Sequence, residues 1–202
     1  MIMTEKGFAV LRSHFGSLKQ SQVDGINTIV EQFNAQGVTN YNHAAYMLAT
    51  TWHETAKTMR PIEEYGKGKG RPYGTWYKNS KGLLYSFING FKKVAYLFND
   101  HPHLYYGRGY VQLTWFENYQ RASKKLGVDF ISNPELALDP KLAADIMIVG
   151  MREGWFTGKK LDDYISRDKK DYVSARKIIN GLDKAKLIAD YSAIFEKALR
   201  QL

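Results

Sequence analysis

No cysteine occurs among the 202 residues, which excludes a disulfide framework and thiolate chemistry. No stretch approaches the roughly 18 apolar residues that a membrane span requires. The opening Met1-Ile2-Met3-Thr4-Glu5-Lys6 lacks a cationic region followed by an apolar run, so it does not read as a secretory signal. These absences predict a soluble cytosolic protein. Internal repeats and long Ser/Pro linkers are also missing, and at this length one domain over residues 1–202, with room for two lobes, is expected. Acid is scarce in one place. Between Tyr65 and Asn99 there is none, while Lys67, Lys69, Arg71, Lys78, Lys81, Lys92 and Lys93 fall there. With a net charge of +9, such a one-sign stretch suits a polyanion such as nucleic acid, an anionic cell wall or lipid head groups, or it is a solvated loop.

What is abundant is aromatic. Fourteen Tyr and four Trp exceed what a small core needs, and surplus rings line sugar or nucleobase sites as well as packing. Helical periodicity dominates. Ser21 with Asp24 opens a helix to about Gln36, closed by Gly37, and Asn42 caps a second from Ala44 to about Thr58. Pro61 sets the expected stop of that second helix near Arg60. Residues 65–90 are rich in glycine and predict irregular structure or a short hairpin. Thr114-Trp115-Phe116-Glu117 reads as a capping box for a helix to Leu126, ended by Gly127. Asp139-Pro140 starts another helix, and two more are expected over about 170–180 and 184–201. The last carries the apolar stripe Leu187, Ile188, Tyr191, Ile194, Phe195 and Leu199. With a local charge of only +1, that stripe is expected to pack into the core rather than into a membrane. The class is mainly α with a small β or irregular lobe.

His53-Glu54 first suggests a zinc protease, but the second His that motif needs is replaced by Lys57. His101-Pro102-His103 has no carboxylate or Cys set to complete a metal site and reads as a surface turn. Gly107-Arg108-Gly109 is not followed by the Gly-Lys-Ser/Thr of a phosphate loop. No metal or other cofactor is therefore expected. A different chemistry fits better. Glu54 lies beside apolar Ala49 and Trp52, surroundings that favour a carboxyl keeping its proton, as a general acid must. The pair Glu63-Glu64 lies beyond the predicted helix end. Gln112 and Thr114 sit two apart in a stretch read as extended, facing one side, with Asn118 one turn into the next helix. Two acids facing amide and hydroxyl groups is what glycoside hydrolysis requires. Each Glu alone would read as solvated surface.

Taken in order, several motifs resemble the glycoside hydrolase family nineteen chitinases: His53-Glu54-Thr55, Glu63, Tyr105-Tyr106-Gly107-Arg108-Gly109, Gln112-Leu113-Thr114, Asn118-Tyr119 and Ile178-Ile179-Asn180-Gly181. Gln22-Val23-Asp24-Gly25-Ile26-Asn27 and Gly154-Trp155-Phe156-Thr157-Gly158 extend the resemblance over nearly the whole chain. Within that group the sequence is most similar to short, lysozyme-like endolysins of phages infecting Gram-negative bacteria such as Acinetobacter. The resemblance implies a two-lobed lysozyme-like and chitinase-like fold with a substrate cleft, and inverting hydrolysis without a metal. It implies Glu54 as general acid, Glu63 as the carboxylate that binds the attacking water, and Thr114 as the hydroxyl that holds that water. It implies sugar contacts from His53, Glu64, Tyr106, Arg108, Gln112, Asn118 and Asn180. Glu64 stands where Asn is usual, so the second role lies open between Glu63 and Glu64.

The function expected on that resemblance is an endolysin cutting peptidoglycan glycan strands. It would be a monomer with no separate wall-binding module. It would be held in the host cytoplasm until a holin releases it to the periplasmic wall, with its basic stretch contacting an anionic envelope. A chitinase is the alternative enzyme and a non-catalytic wall-binding protein the alternative class. A nucleic-acid binder would explain the charge but not the paired acids.

Overall fold

Thr4 opens the first helix by accepting the Gly7 amide on its hydroxyl at 3.1 Å, and Asn40 opens the third by accepting the Asn42 and His43 amides at 2.9 and 3.3 Å. Asp139 opens a later one through the amides of Lys141 and Leu142, with Pro140 in the first helical position. The computed structural model describes residues 1–68, 73, 105–166 and 168–201, with the backbone alone at 76–78 and 84–86. The helices are α1 (Glu5–Phe15), α2 (Gln20–Ala35), α3 (Tyr41–Glu54), α4 (Phe116–Leu126), α5 (Pro140–Glu153), α6 (Leu161–Tyr164) and α7 (Ala185–Leu199). Short 3-10 helices run over Pro134–Leu138 and Ser174–Ile178. Strands β1 (Ile62–Glu63) and β4 (Arg108–Gly109) form one antiparallel pair, and β2 (Trp76–Lys78) and β3 (Leu84–Ser86) form another. Among the described residues the chain is mainly α with two minimal sheets, in the class the sequence predicts.

Two cores account for a two-lobed body. The larger holds Leu11, Ile26, Ile29, Phe33, Met47, Leu48, Trp52, Ile188 and Phe195 from α1, α2, α3 and α7. The smaller gathers Tyr105, Leu113, Tyr119 and Phe130 around α4. Helix α5 belongs to both, with Ala143, Ala144 and Met147 in the first and Ile146 and Val149 in the second. The stripe of α7 packs inward against α3 and α1, as expected. Phe195 lies 5.6 Å from the Phe15 ring and 6.1 Å from that of Trp52, while Leu187 alone of the stripe stays 39% exposed. Among the described residues no helix is long and apolar enough to cross a membrane.

Several boundaries differ from expectation. Glu5–Phe15 is helical although no cap was read there. Helix α2 starts at Gln20, because the Gln22 side chain accepts the Lys19 amide at 2.7 Å. The expected helix over 170–180 shrinks to a 3-10 turn. The glycine-rich region does contain a short antiparallel pair, β2 with β3. Of its basic residues, Lys69, Arg71, Lys81, Lys92 and Lys93 and the Lys78 side chain lie outside the described residues, as do His101 and His103.

Candidate active site

Helix α3 ends on Glu54, not near Arg60, and the cause is Thr55. Its hydroxyl donates to the Thr51 carbonyl at 2.7 Å and accepts the Met59 amide at 3.1 Å, closing the helix six residues before Pro61. The chain then passes through left-handed backbone at Ala56, Lys57 and Met59. Three such residues without glycine store strain, which persists only where packing over-determines it. Met59 is fully buried, and its carbonyl would stand 2.1 Å from a Cβ placed on Gly25 of α2. The glycine in α2 thus admits the turn that fixes the end of α3, and with it Glu54.

The surroundings of Glu54 differ from the apolar surface expected. Its Oε1 accepts from Nη1 of Arg176 at 2.5 Å, and the Arg176 side chain is only 3% exposed. Arg176 comes from the Ser174–Ile178 3-10 helix, and its Nε donates to the Asp183 carbonyl at 3.0 Å. Arg176 was not anticipated from the sequence. The only signal was its place two residues before Ile178-Ile179-Asn180-Gly181.

Glu63, the last residue of β1, and Glu64, just beyond it, engage different partners. Opposite Arg108 in the β1–β4 ladder, Glu63 accepts from the Tyr106 hydroxyl at 2.5 Å, and Lys67 Nζ lies 3.3 Å away. The Tyr106 hydroxyl is the main cause that holds the Glu63 carboxyl below its usual range, against burial and with help from Lys67. The Tyr106 phenol is pushed up to about 12, first by burial and then by Glu63. Glu64 is a latch instead. Its carboxylate accepts the Gly107 amide at 3.0 Å and the Tyr73 hydroxyl at 3.1 Å, and its own amide donates to the Gly107 carbonyl at 2.7 Å.

A depressed carboxyl contributes stability above its unfolded value, and that contribution is lost as pH falls through the folded value. Tyr106→Phe is therefore expected to lower stability most near neutral pH, with the deficit shrinking below about pH 4. Urea denaturation across pH checks this. A deficit constant down to pH ~3 would assign the hydroxyl to packing alone.

A cleft of about 310 Å³ is lined by Glu54, Gln112, Thr114, Asn118 and Asn180, with Val111, Trp115, Phe156 and Ile179. It brings together four residues of the sequence reading around the proposed acid. Gln112 arrives there by another route than expected. The stretch is not extended. Arg108 and Leu113 exchange backbone hydrogen bonds at 3.2 and 2.9 Å across a tight loop, and Gln112 and Trp115 both have positive φ, +56° and +72°. Thr114 does not cap α4, whose N-cap is Trp115 without a side-chain bond; its side chain lines the cleft. Gly107 makes room for Gln112, whose Oε1 would meet a Cβ there at 2.4 Å. On the far wall the Thr157 hydroxyl ties to the carbonyls of Lys177 and Ile178 at 2.6 and 3.0 Å, setting Phe156 beside Asn180.

The structure places Tyr106 and Arg108, expected as sugar contacts, among the buried residues. They are 5% and 2% exposed and do not line the cleft. The Arg108 guanidinium stacks 3.7 Å from the Tyr106 ring and donates to the Tyr119 hydroxyl at 3.0 Å, and that hydroxyl donates to the Tyr106 carbonyl at 2.8 Å. Together they hold Tyr106 against Glu63 from behind. His53, Glu63 and Glu64 also stand outside the cleft lining. Among the described residues no three His, Asp or Glu side chains converge as metal ligands.

A carboxyl set against a buried guanidinium, in a cleft of amides, a hydroxyl and rings, offers groups that can hydrogen-bond and stack on a sugar chain. The fold narrows this further. It matches a bacterial family 19 chitinase over 100% of this chain and 97% of that one (TM-score 0.56, 18% identity). It also matches chitinase C from Streptomyces griseus over 98% of this chain and 76% of that one (TM-score 0.61, 19% identity). Residues 24–160 match the sequence profile of glycoside hydrolase family 19, described as chitinase class I, and the chain belongs to that family. Among curated proteins, an acidic endochitinase of Solanum chilense is 34% identical over 94 residues, 45% of this chain and 34% of that protein. Chitinase 11 of Oryza sativa subsp. japonica is 33% identical over 95 residues, 46% of this chain and 36% of that protein. The matches thus span about a third of the length of these plant relatives.

Proposed function

We propose that the protein hydrolyses peptidoglycan glycan strands between N-acetylmuramic acid and N-acetylglucosamine, as the endolysin of a phage of a Gram-negative host such as Acinetobacter. The observation that carries a glycosidase reading is the cleft itself, where Glu54 meets Gln112, Thr114, Asn118 and Asn180. The net charge of +9 supports an anionic wall over neutral chitin as substrate. In this reading Glu54 donates its proton to the leaving glycosidic oxygen. Arg176 then stabilises the carboxylate left behind. Glu63, ionised because Tyr106 donates to it, orients the attacking water with the Thr114 hydroxyl. The amides grip sugar hydroxyl and acetamido groups. The protein waits as a monomer in the host cytoplasm, is released by a holin and acts at the periplasmic wall.

Mass spectrometry of digested peptidoglycan tests the bond. New reducing ends at N-acetylmuramic acid are expected, whereas anhydro-sugars would indicate a lytic transglycosylase. Proton NMR of the first product tests the geometry. Acids about 6.5–9.5 Å apart leave room for water and invert the anomeric centre, so the α-anomer is expected first. An initial β-anomer rules out this mechanism. The similarity to an endochitinase of Solanum chilense and a chitinase of Oryza sativa favours a chitinase as the second reading. Turnover of chitin oligomers exceeding that of peptidoglycan would select it.

A further inference from the structure

The segment that brings Asn180 to the cleft carries a second chemistry of its own. Asn180 is followed by Gly181, and the Gly181 amide donates to Asn180 Oδ1 at 2.8 Å. Among the described residues no backbone carbonyl accepts that amide, so it stays turned on the neighbouring side chain. A C=O bond is about 1.2 Å long, which places Asn180 Cγ at most about 4 Å from the Gly181 nitrogen. A small rotation of the carboxamide reaches the roughly 3–3.5 Å of a near-attack contact. Both residues are exposed, in a bend between the Ser174–Ile178 3-10 helix and α7, so water has access. Glycine puts no side chain in the way of the approach.

We infer that Asn180-Gly181 is a self-modification site, where the asparagine is converted to aspartate and isoaspartate and the cleft is thereby disabled. The Gly181 nitrogen gives its proton to hydroxide and attacks Asn180 Cγ. The new N–Cγ bond closes a five-membered succinimide. The bond from Cγ to the carboxamide nitrogen breaks, and that nitrogen takes a proton from water and leaves as ammonia. A water molecule then opens the ring. Attack at Cγ leaves aspartate, and attack at the main-chain carbonyl leaves isoaspartate, whose backbone runs through Cβ and Cγ. The net change is one water taken up and one ammonia lost, with nothing oxidised or reduced. Either product puts a carboxylate into the lining that already holds Glu54. A carboxylate accepts but cannot donate to a sugar oxygen. Isoaspartate also lengthens the backbone inside the loop that Arg176 closes through its Nε bond to the Asp183 carbonyl at 3.0 Å. Arg176 is the partner of Glu54, so that lengthening bears on the proposed acid.

Full-length protein, folded and in urea, is aged in mildly alkaline buffer and its peptides are mapped by mass spectrometry, with isoaspartate read by enzymatic methylation. Mapping separates the site from Asn89-Gly90, which lies outside the described residues. Folded protein is expected to convert Asn180 within about tenfold of the rate of the unfolded chain, because the native contact already places the nitrogen. A Cβ on Gly181 would meet nothing within 4 Å, so Gly181→Ala has room to fold. That methyl crowds the nitrogen and should slow conversion by about tenfold or more. Slower conversion in the folded protein than this, or an unchanged rate in Gly181→Ala, overturns the site. The loss of activity rests on the proposed glycosidase reading, whereas the modification does not. Peptidoglycan hydrolysis should fall in step with conversion, and Asn180→Asp should start at least about tenfold lower in kcat/KM. Full activity after most of Asn180 has converted overturns the disabling. If fresh protein cleaves no glycan, the glycosidase reading fails and the peptide map alone decides the modification.

Discussion

Glu54→Gln should leave a folded protein whose glycan hydrolysis has fallen by at least about 10²-fold. The amide has the shape of the carboxyl, and its oxygen can still accept from Arg176. It has no proton to deliver to a leaving oxygen. Some stability will go with the charge, because Arg176 is 3% exposed and loses its counter-ion. Circular dichroism must therefore accompany the assay. Turbidity clearing at the native rate by a folded Glu54→Gln protein would sink the assignment of Glu54 as the proton donor. Glu63→Gln should be comparably impaired if, as proposed, its ionised carboxyl orients the attacking water. Glu64→Gln should be milder, because it serves as a latch between Gly107 and Tyr73. The reverse ranking would move the water-binding role to Glu64.

Removing residues 184–202 should unfold the protein and abolish hydrolysis of purified peptidoglycan. Helix α7 buries Ile188, Phe195, Ala198 and Leu199 against α3 and α1. Truncating one buried Phe typically costs about 3–5 kcal/mol and one Leu or Ile about 2–5. Domains of this size hold only about 5–15 kcal/mol in total. The deletion would also strip the wall behind Trp52, which directly precedes His53 and Glu54, where Phe15 stacks at 4.6 Å and Phe195 closes the edge. The readouts are soluble yield, cooperative melting and release of reducing ends. A stable truncation, fully active on purified wall but inert on intact cells, would instead assign α7 to membrane disruption.

The helical class was legible because capping and periodicity agreed at Asp139-Pro140, at Gly127 and along α7. The end of α3 was not. Pro61 is visible in a sequence, but the hydroxyl of Thr55 and the pocket that Gly25 offers Met59 are tertiary events. The same distinction runs through the site. Gln112, Thr114, Asn118 and Asn180 came together as the ordered motifs implied, although the local geometry assumed for Gln112 was wrong. Arg176 was missed because one arginine in a basic segment carries no periodic or spacing signal. Its distance from Glu54 is 122 residues along the chain and one hydrogen bond in space. Tyr106 and Arg108 matched a motif yet lie behind the site, since a motif records position and not which way a side chain faces.

Helix α5 has a face in each of the two cores, and this constrains how the cleft can move. The lobes are not two plates joined by a hinge, because one rigid rod runs through both. Separating them would break contacts of Ile146 and Val149 on one side or of Ala143 and Met147 on the other. In the proposed reading, a glycan strand would therefore enter between walls whose spacing α5 holds.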